Sequence, residues 1–290
     1  VLETLNEFEF ALRCIRMGPW KVRCKYSVYT ARIQNDRALR TCIGDLTLCC
    51  NDNVFDGAVL KGCTAKTLTL SGTTVVELVT LPYMEDVTTV NLDACTNLKQ
   101  LDGIEKIPNA TVVSISGCGI RDVYPLEKLP RMKSLILSTM KGINPTNLDG
   151  CRGLTRLTLM LLTIFEGIIV LPPRLEGVTI FGCHKVENLD GFSSTEASPL
   201  TKVHIEFCRN LANCNNVIAF PCVEEVNITH CKNFRDVAGL ALLQFCAWLT
   251  ISNCDALTDI AALSSALSLK EFNVSGCESL SMVDAVLQMP

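Results

Sequence analysis

The sequence has few histidines and lacks a long, uninterrupted apolar run. Only three of its 290 residues are His, and two are Trp. Residues 2–12 are interrupted by Glu3, Glu7 and Glu9, unlike the apolar core of a secretory signal. The most apolar stretch, 157–172, is shorter than a membrane span and contains Glu166. We therefore expect neither a secretory signal nor a membrane-spanning segment.

Motifs for common catalytic and metal sites are also missing. The sequence contains no GxxxxGK[ST], HExxH or GxSxG motif and no zinc-type CxxC pair. With so few histidines, an acid–base centre would depend on carboxylates. We predict a protein that is not an enzyme, with no catalytic residues, cofactor, bound metal or small-molecule substrate.

Charge is nearly balanced over the whole chain. The formal net charge is −4, but residues 1–40 carry eight Lys and Arg against four Asp and Glu. Nucleic-acid binding needs a basic stripe, and only the N-terminal segment is basic. That segment is interpreted as the solvated face of a cap, with a binding patch as the alternative.

Apolar residues instead repeat along most of the chain. Residues 87–101 match the pattern LxxLxLxxCxxLxxL, and the pattern recurs at intervals of 21 to 25 residues. The second apolar position of each unit is occupied by Leu46, Leu68, Val90, Val113, Leu135, Leu157, Val178, Val203, Val226, Leu249 and Phe272.

Each part of the repeated unit predicts a piece of local structure. The alternating LxL core predicts a strand with its apolar side chains inward, and stacked units predict a parallel sheet of about 11 strands. The later LxxL residues predict short helical or 3₁₀ segments on the opposite, convex side. Aspartates there are expected to cap the turns, with Gly supplying positive φ in the Asp-Gly pairs: Asp102-Gly103, Asp149-Gly150, Asp190-Gly191, Asp122, Asp236 and Asp259.

This pattern resembles the leucine-rich-repeat superfamily over residues 41–290. The resemblance implies an α/β solenoid, a horseshoe with a concave parallel sheet, and a role in recognising proteins. The short 22–23-residue period is similar to that of intracellular regulatory members, such as those that bind protein phosphatases. Cysteine in the repeat also resembles F-box substrate receptors, although no F-box is visible, and some protist repeat proteins. These similarities do not identify a sub-family.

Cysteine occupies the ninth position of the unit in seven repeats. These residues are Cys95, Cys118, Cys183, Cys208, Cys231, Cys254 and Cys277. A metal or redox ladder is one interpretation, but a column that follows the repeat predicts buried thiols acting as small apolar groups. Two sequons, at Asn227 and Asn273, also fall inside predicted strands. We therefore expect an intracellular, reducing compartment, cytoplasmic or nuclear.

The domain prediction is a cap over residues 1–40 followed by repeats over 41–290, forming one continuous domain. Apolar spacing from Leu2 to Ile15 predicts an amphipathic helix, and residues 20–26 predict a strand that extends the sheet. Residues 191–199 follow the widest gap between units and predict a surface loop. Because the chain begins with Val1 and ends with Pro290, a fragment of a longer protein is also an expectation.

Large apolar and aromatic side chains are concentrated in the outward positions of the sixth to tenth repeats. Exposed groups of this kind are typical of the core of an interface. The predicted partner-binding residues on the concave face are Arg156, Met160, Leu161, Phe181, Lys202, His204, Glu206, Phe207, Glu225, His230 and Trp248. Phe181, Phe207 and Trp248 are the expected anchors, and the charged members, with Glu224, form the expected rim. The alternative is that flanking segments of the chain cover these side chains.

His204 and His230 fall in neighbouring repeats, so a metal site with Glu206 or Glu225 is an alternative reading of the same surface. We favour ordinary contact residues. The predicted function is a non-catalytic scaffold or adaptor that binds a protein partner. Two alternatives are the substrate-recognition domain of a larger enzyme such as a ubiquitin ligase, and a nucleic-acid-binding protein acting through the basic cap; a cell-surface receptor is disfavoured by the cysteines.

Overall fold

The structure of the chain is a computed structural model that describes residues 44–50, 54–140, 148–163, 169–194 and 199–281, together with the backbone of 21–25. The residues fall into two compact units, Val1–Lys141 and Gly142–Pro290. The helix expected near the N-terminus lies outside the described residues. The expectation of one continuous domain stays a prediction.

Six strands form a parallel sheet in the first unit. Each strand pairs with the next one along the chain, and the apolar positions of neighbouring repeats lie side by side, as in Leu46 opposite Leu68. The predicted N-terminal strand is present and pairs with the first repeat. The strands are β1 (Lys21–Lys25), β2 (Asp45–Cys49), β3 (Thr67–Ser71), β4 (Thr89–Asp93), β5 (Val112–Ser116) and β6 (Ser134–Ser138).

In the second unit six further main strands pair in parallel, and two short strands form a small two-stranded sheet. The same register holds throughout, with Val203 between Val178 and Val226. In sheet order the six strands are β7 (Arg156–Met160), β9 (Gly177–Phe181), β11 (Lys202–Glu206), β12 (Glu225–Thr229), β13 (Trp248–Ser252) and β14 (Glu271–Ser275). Within the described residues, eleven of the twelve main strands are therefore repeat strands, as the period predicted.

The smaller sheet corrects one sequence-based expectation. Within 191–199, predicted to be a surface loop, Phe192–Ser194 is a strand (β10) that pairs in parallel with Ile169–Leu171 (β8). Phe192 is buried, which explains the difference: two neighbouring repeats bury apolar residues on their return segments and so add a second strand pair. Residues 195–198 lie outside the described part.

Short helical segments return the chain between main strands. Among the described residues, one α-helix, α1, covers Ala238–Ala241, and the 3₁₀ segments are Gly57–Leu60, Ile104–Lys106, Tyr124–Lys128, Asn215–Ala219 and Ala261–Ser265. Three predicted aspartate caps are confirmed, because backbone N–H groups donate to the carboxylates of Asp122, Asp236 and Asp259 at 2.7 to 2.9 Å.

The predicted Asp102 cap is wrong, although Gly103 has the expected positive φ of 99°. The N–H of Gly103 donates to Glu105 Oε2 at 3.0 Å, because the longer side chain reaches back from within the turn. Asp102 is exposed and lies 3.9 Å from Lys128 Nζ.

The seven cysteines of the column are free thiols, and all of them are buried in the core except Cys277, which is half-buried. Each thiol donates to the carbonyl of an inward-facing residue in the preceding repeat, as from Cys183 Sγ to Leu159 O at 3.6 Å. Met140 and Leu162 occupy the same position in two repeats without cysteine, and both are buried. A position that accepts Met and Leu is chiefly a packing position, which agrees with the predicted column of buried thiols.

Burial raises the pKa of part of this column and keeps those thiols protonated at neutral pH. Removal from water raises the pKa of Cys183 and of Cys254 to about 12 each. Contact with the Cys118 thiol and burial together raise the pKa of Cys95. Thiols of this kind are poor nucleophiles at neutral pH.

In the described part of the chain, no helix is long and apolar enough to cross a bilayer.

Candidate functional site

In-register pairing arranges the outward side chains of the second unit in three columns. The second and fourth residues of each strand point into the core, whereas the first, third and fifth point outward. The predicted residues in the first column are Arg156, Lys202, Glu225 and Trp248, His204 is in the third, and Met160, Phe181 and Glu206 are in the fifth.

In most repeats, the residue immediately after the main strand adopts a left-handed backbone conformation. We call this the corner position; its φ lies between 51° and 63° in nine successive repeats. In seven of these repeats its N–H donates to the carbonyl of the last residue of the next strand, as from Phe207 N to Thr229 O at 3.0 Å. The corner residues are Ala94, Gly117, Thr139, Leu161, Gly182, Phe207, His230, Asn253 and Gly276.

Three of the predicted site residues, Leu161, Phe207 and His230, occupy corner positions. A left-handed conformation costs most residues about 1 kcal/mol or more, and Gly or Asn is the usual choice. In all three, the backbone hydrogen bond to the next strand holds the conformation in place. Large side chains are thus kept at a position where the fold alone favours small ones, and such positions concentrate at functional sites.

Phe181, Phe207 and His230 form a continuous stack on the surface. The ring centroids of Phe181 and Phe207 are 5.2 Å apart at an interplanar angle of 59°, and those of Phe207 and His230 are 4.4 Å apart at 13°. Leu161 lies over Gly182, where a Cβ would come within 2.5 Å of Leu161 Cδ2. Leu161 and Phe207 are each 42% exposed, whereas Met160 and Phe181 are half-buried. We call Met160, Leu161, Phe181, Phe207 and His230 together the aromatic patch.

A trough runs alongside the aromatic patch. It has a volume of about 650 Å³, and corner residues form its inner wall. The opposite wall is formed by the residues that follow the column cysteines: His184, Arg209, Lys232, Asp255 and Glu278. Sequence reasoning missed this charged row. The signal was available, because each residue stands directly after a cysteine at the repeat interval.

The charged residues around His204 form a separate cluster. Glu225 accepts hydrogen bonds from Lys202 Nζ at 2.9 Å and from Asn227 Nδ2 at 2.9 Å. His204 Nε2 lies 3.2 Å from Glu225 Oε1 and 3.1 Å from Asn227 Nδ2. The contact with Lys202 lowers the pKa of Glu225, and the same contact raises the pKa of Lys202.

Trp248 lies beside this cluster rather than beside the phenylalanines. It is 44% exposed, with Lys270 Nζ 6.0 Å from its ring centroid. It lines a shallow hollow of about 390 Å³ with Lys202, Glu225 and Glu271. Arg156 is exposed and lines a hollow of about 360 Å³ with Lys202 and His204.

The predicted partner-binding residues therefore divide into two groups. Trp248 and its polar neighbours lie at the start of the strands, whereas the aromatic patch lies at their ends. At about 3.3 Å per residue, the two groups are separated by roughly 13 Å along the strand direction. Glu206 is half-buried in the fifth column, between Phe181 and Thr229.

The two histidines take part in different interactions. His204 contacts Glu225 and Asn227, whereas His230 stacks on Phe207. Within the ranges that the structure describes, no group of three or more His, Cys, Asp or Glu side chains could hold a metal ion.

Sequence comparison finds no match, whereas structural comparison finds proteins of similar fold. No protein-family model matches the chain, and no curated protein sequence matches it. An internalin, InlF from Listeria monocytogenes, superposes with a TM-score of 0.54 at 18% identity, covering 80% of this chain and 66% of its own. The functional domain of InlJ from the same organism, described as including a cysteine ladder, gives 0.42 at 12% identity, covering 88% and 68%. A leucine-rich-repeat protein from Leptospira interrogans gives 0.36 at 12%, covering 87% and 88%.

At this level of identity the InlF match bears on the fold alone. It agrees with the parallel strands, their register and the short return segments described above. The chain therefore has the fold of the leucine-rich-repeat superfamily, built from short repeats in which cysteine commonly occupies the ninth position.

Proposed function

We propose that the protein is a non-catalytic scaffold or adaptor that binds a protein partner through the sheet surface of its second unit. The aromatic patch is the observation that carries this proposal. Its side chains are large and partly exposed, and three of the five, Leu161, Phe207 and His230, stand at corner positions whose backbone conformation costs stability. Clustered exposed aromatics with a charged border are characteristic of interface cores.

The group around Trp248 is proposed as a second contact region of the same partner. Trp248 offers a large exposed ring, and Lys202 and Glu225 are already paired with each other. Paired charges at a rim contribute more to orientation than to affinity. The phenylalanines are thus expected to contribute more binding energy than the charged residues.

The test compares cross-linked partners of the full chain in its native cell. Phe181→Ala/Phe207→Asn removes the two phenylalanines of the aromatic patch, and Trp248→Ala removes the large ring of the second region. Phe245→Ala is the matched control, because Phe245 is 59% exposed outside both regions. We expect at least one partner to lose tenfold or more of its yield with the first variant and to be unaffected by the control. Retention of every partner by both surface variants would contradict the proposal.

We also propose that the protein works in a reducing compartment. The support is the column of thiols, which pack as small apolar groups and donate weak hydrogen bonds to carbonyls. Thiol labelling of the native protein under denaturing conditions should find these cysteines reduced. Mostly oxidised cysteines would overturn this assignment.

A further inference from the structure

The trough beside the aromatic patch has a graded charge along its outer wall. His184, Arg209 and Lys232 come first along the chain, and Asp255 and Glu278 follow. Lys232 Nζ and Asp255 Oδ2 pair at 3.6 Å, so these two largely neutralise each other. Arg209 and Glu278 have no ion-pair partner within the described residues. The trough thus offers an unpaired cation toward one end and an unpaired carboxylate at the other.

The dimensions of the trough fit an extended polypeptide. Neighbouring repeats are about 4.8 Å apart, so the wall from His184 to Glu278 spans roughly 19 Å. An extended chain covers this length in about six residues. Arg209 and Glu278 are three repeats apart, or roughly 14 Å, which corresponds to about four residues of such a chain.

The balance of charge favours a polypeptide over a nucleic acid. A single-stranded nucleic acid would be attracted by stacked aromatics with nearby cations. Its phosphates would also have to pass Asp255 and Glu278, whose carboxylates repel them. A polypeptide can place an anion and a cation in the order that the wall requires.

We propose that the trough binds an extended segment of the protein partner, of about six residues. In this segment an aromatic or aliphatic side chain packs on Phe207, a carboxylate within one or two residues of it pairs with Arg209, and a cation about four residues from the carboxylate pairs with Glu278. Arg suits the first pairing because its planar group holds a carboxylate through two hydrogen bonds. This inference rests on the proposed function and specifies the chemistry of its partner.

The experiment selects ligands without assuming a sequence. A phage library of random linear twelve-residue peptides is selected on the full chain, and affinities of the enriched peptides are measured by fluorescence anisotropy. We expect the enriched sequences to share an apolar residue next to Asp or Glu, with Lys or Arg about four positions from the acidic residue.

Three variants test where the peptide binds. Phe207→Asn should weaken binding at least tenfold and remain folded, because Asn253 occupies a corner position in this chain. Arg209→Glu should lower the affinity for the acidic peptide at least tenfold. It should raise the affinity for the same peptide with its acidic residue changed to Lys. Arg235→Glu is the matched control, because Arg235 is exposed outside the trough, and it should leave both affinities unchanged.

Several results would overturn the inference. These are enrichment of no peptide, enrichment without the charge pattern, affinities insensitive to Phe207→Asn and Arg209→Glu, and competition by a twelve-nucleotide oligo(dT) with the same sensitivity to these variants. If the aromatic-patch variant loses its cellular partner but no peptide is enriched, the proposed function stands and this inference fails. If peptides bind as expected but both surface variants retain every cellular partner, the proposed function fails instead.

Discussion

At Gly239 the backbone of the neighbouring repeat leaves no room for a side chain. Gly239 lies in α1, where its N–H donates to Asn215 Oδ1 at 3.0 Å. A Cβ on Gly239 would come within 2.4 Å of Asn215 Cα and 2.9 Å of Asn215 O. These are backbone atoms, so the contact cannot be relieved by rotating a side chain.

Gly239→Ala is therefore expected to destabilise the protein despite its helical position. Replacing Gly by Ala in a helix normally gains about 0.5–1 kcal/mol. Forcing a methyl group into a packed site costs typically about 1–3 kcal/mol, so the clash outweighs the gain. The measurement is the urea unfolding midpoint followed by circular dichroism.

Gly177→Ala serves as the control in the same unit. The nearest atom to its added Cβ is Lys202 Cβ at 3.9 Å, an ordinary contact, and Gly177 is the first residue of β9. This variant should be neutral or up to about 1 kcal/mol more stable. Equal midpoints for both variants would mean that the α1 turn relaxes away from Asn215.

The backbone conformation at the corner positions could not be predicted from the sequence. Repeat spacing identified Phe207 and Leu161 as large residues just after a strand, but it did not indicate their backbone conformation. That conformation depends on a hydrogen bond to the next repeat, as from Leu161 N to Phe181 O at 2.8 Å. It is a contact between residues about twenty positions apart, which residue type alone does not encode.

At the scale of the element, the strands were the most predictable feature. Their inward positions alternate, so the period of two within each repeat fixed the register, and the observed pairing of Val226 with Leu249 follows from it. β8 and β10 were not predicted, because strands of three residues provide too little alternation to be recognised. The division of the predicted site into two groups also required the positions of side chains along each strand.

The cysteine column is an element of the core whose chemistry predicts a pH dependence. The pKa of Cys183 and of Cys254 is about 12 in the folded protein, above the ordinary value of about 8.5–9. Because the folded pKa is raised, the stabilising contribution is complete below pH ~9 and is lost as the pH rises toward 12. Above pH ~9 the unfolded thiols ionise, and the folded ones do not.

Each such thiol should steepen the loss of stability in alkali by about 1 kcal/mol per pH unit. Cys183→Ala/Cys254→Ala is therefore expected to reduce the slope of unfolding free energy against pH by roughly 2 kcal/mol per unit between pH 9 and 11. Urea titrations of both proteins at several pH values give the slopes. At pH 7, where the thiols are protonated in both states, the difference in unfolding free energy gives the cost of the cavities left by the two substitutions. Parallel pH curves would show that these two thiols do not control alkaline stability.

At the scale of the whole molecule, stability in a repeat protein is a sum of terms between neighbours. β12 pairs with β11 on one side and β13 on the other, and its inward Val226 and Ile228 are both 0% exposed. β14 pairs with β13, and its inward Phe272 and Val274 are only half-buried. The two strands share a length and a register but differ in how much apolar surface their opening would expose.

Hydrogen exchange should therefore resolve a gradient across the second unit. We expect amides of β14 to exchange at least tenfold faster than those of β12, a difference of about 1.4 kcal/mol in the free energy of local opening. β11, which lies between β9 and β12, should match β12. Mass spectrometry of peptides covering each strand provides the rates. Uniform protection from β11 to β14 would contradict the neighbour-sum description, because it would mean that the strands open together as one cooperative body.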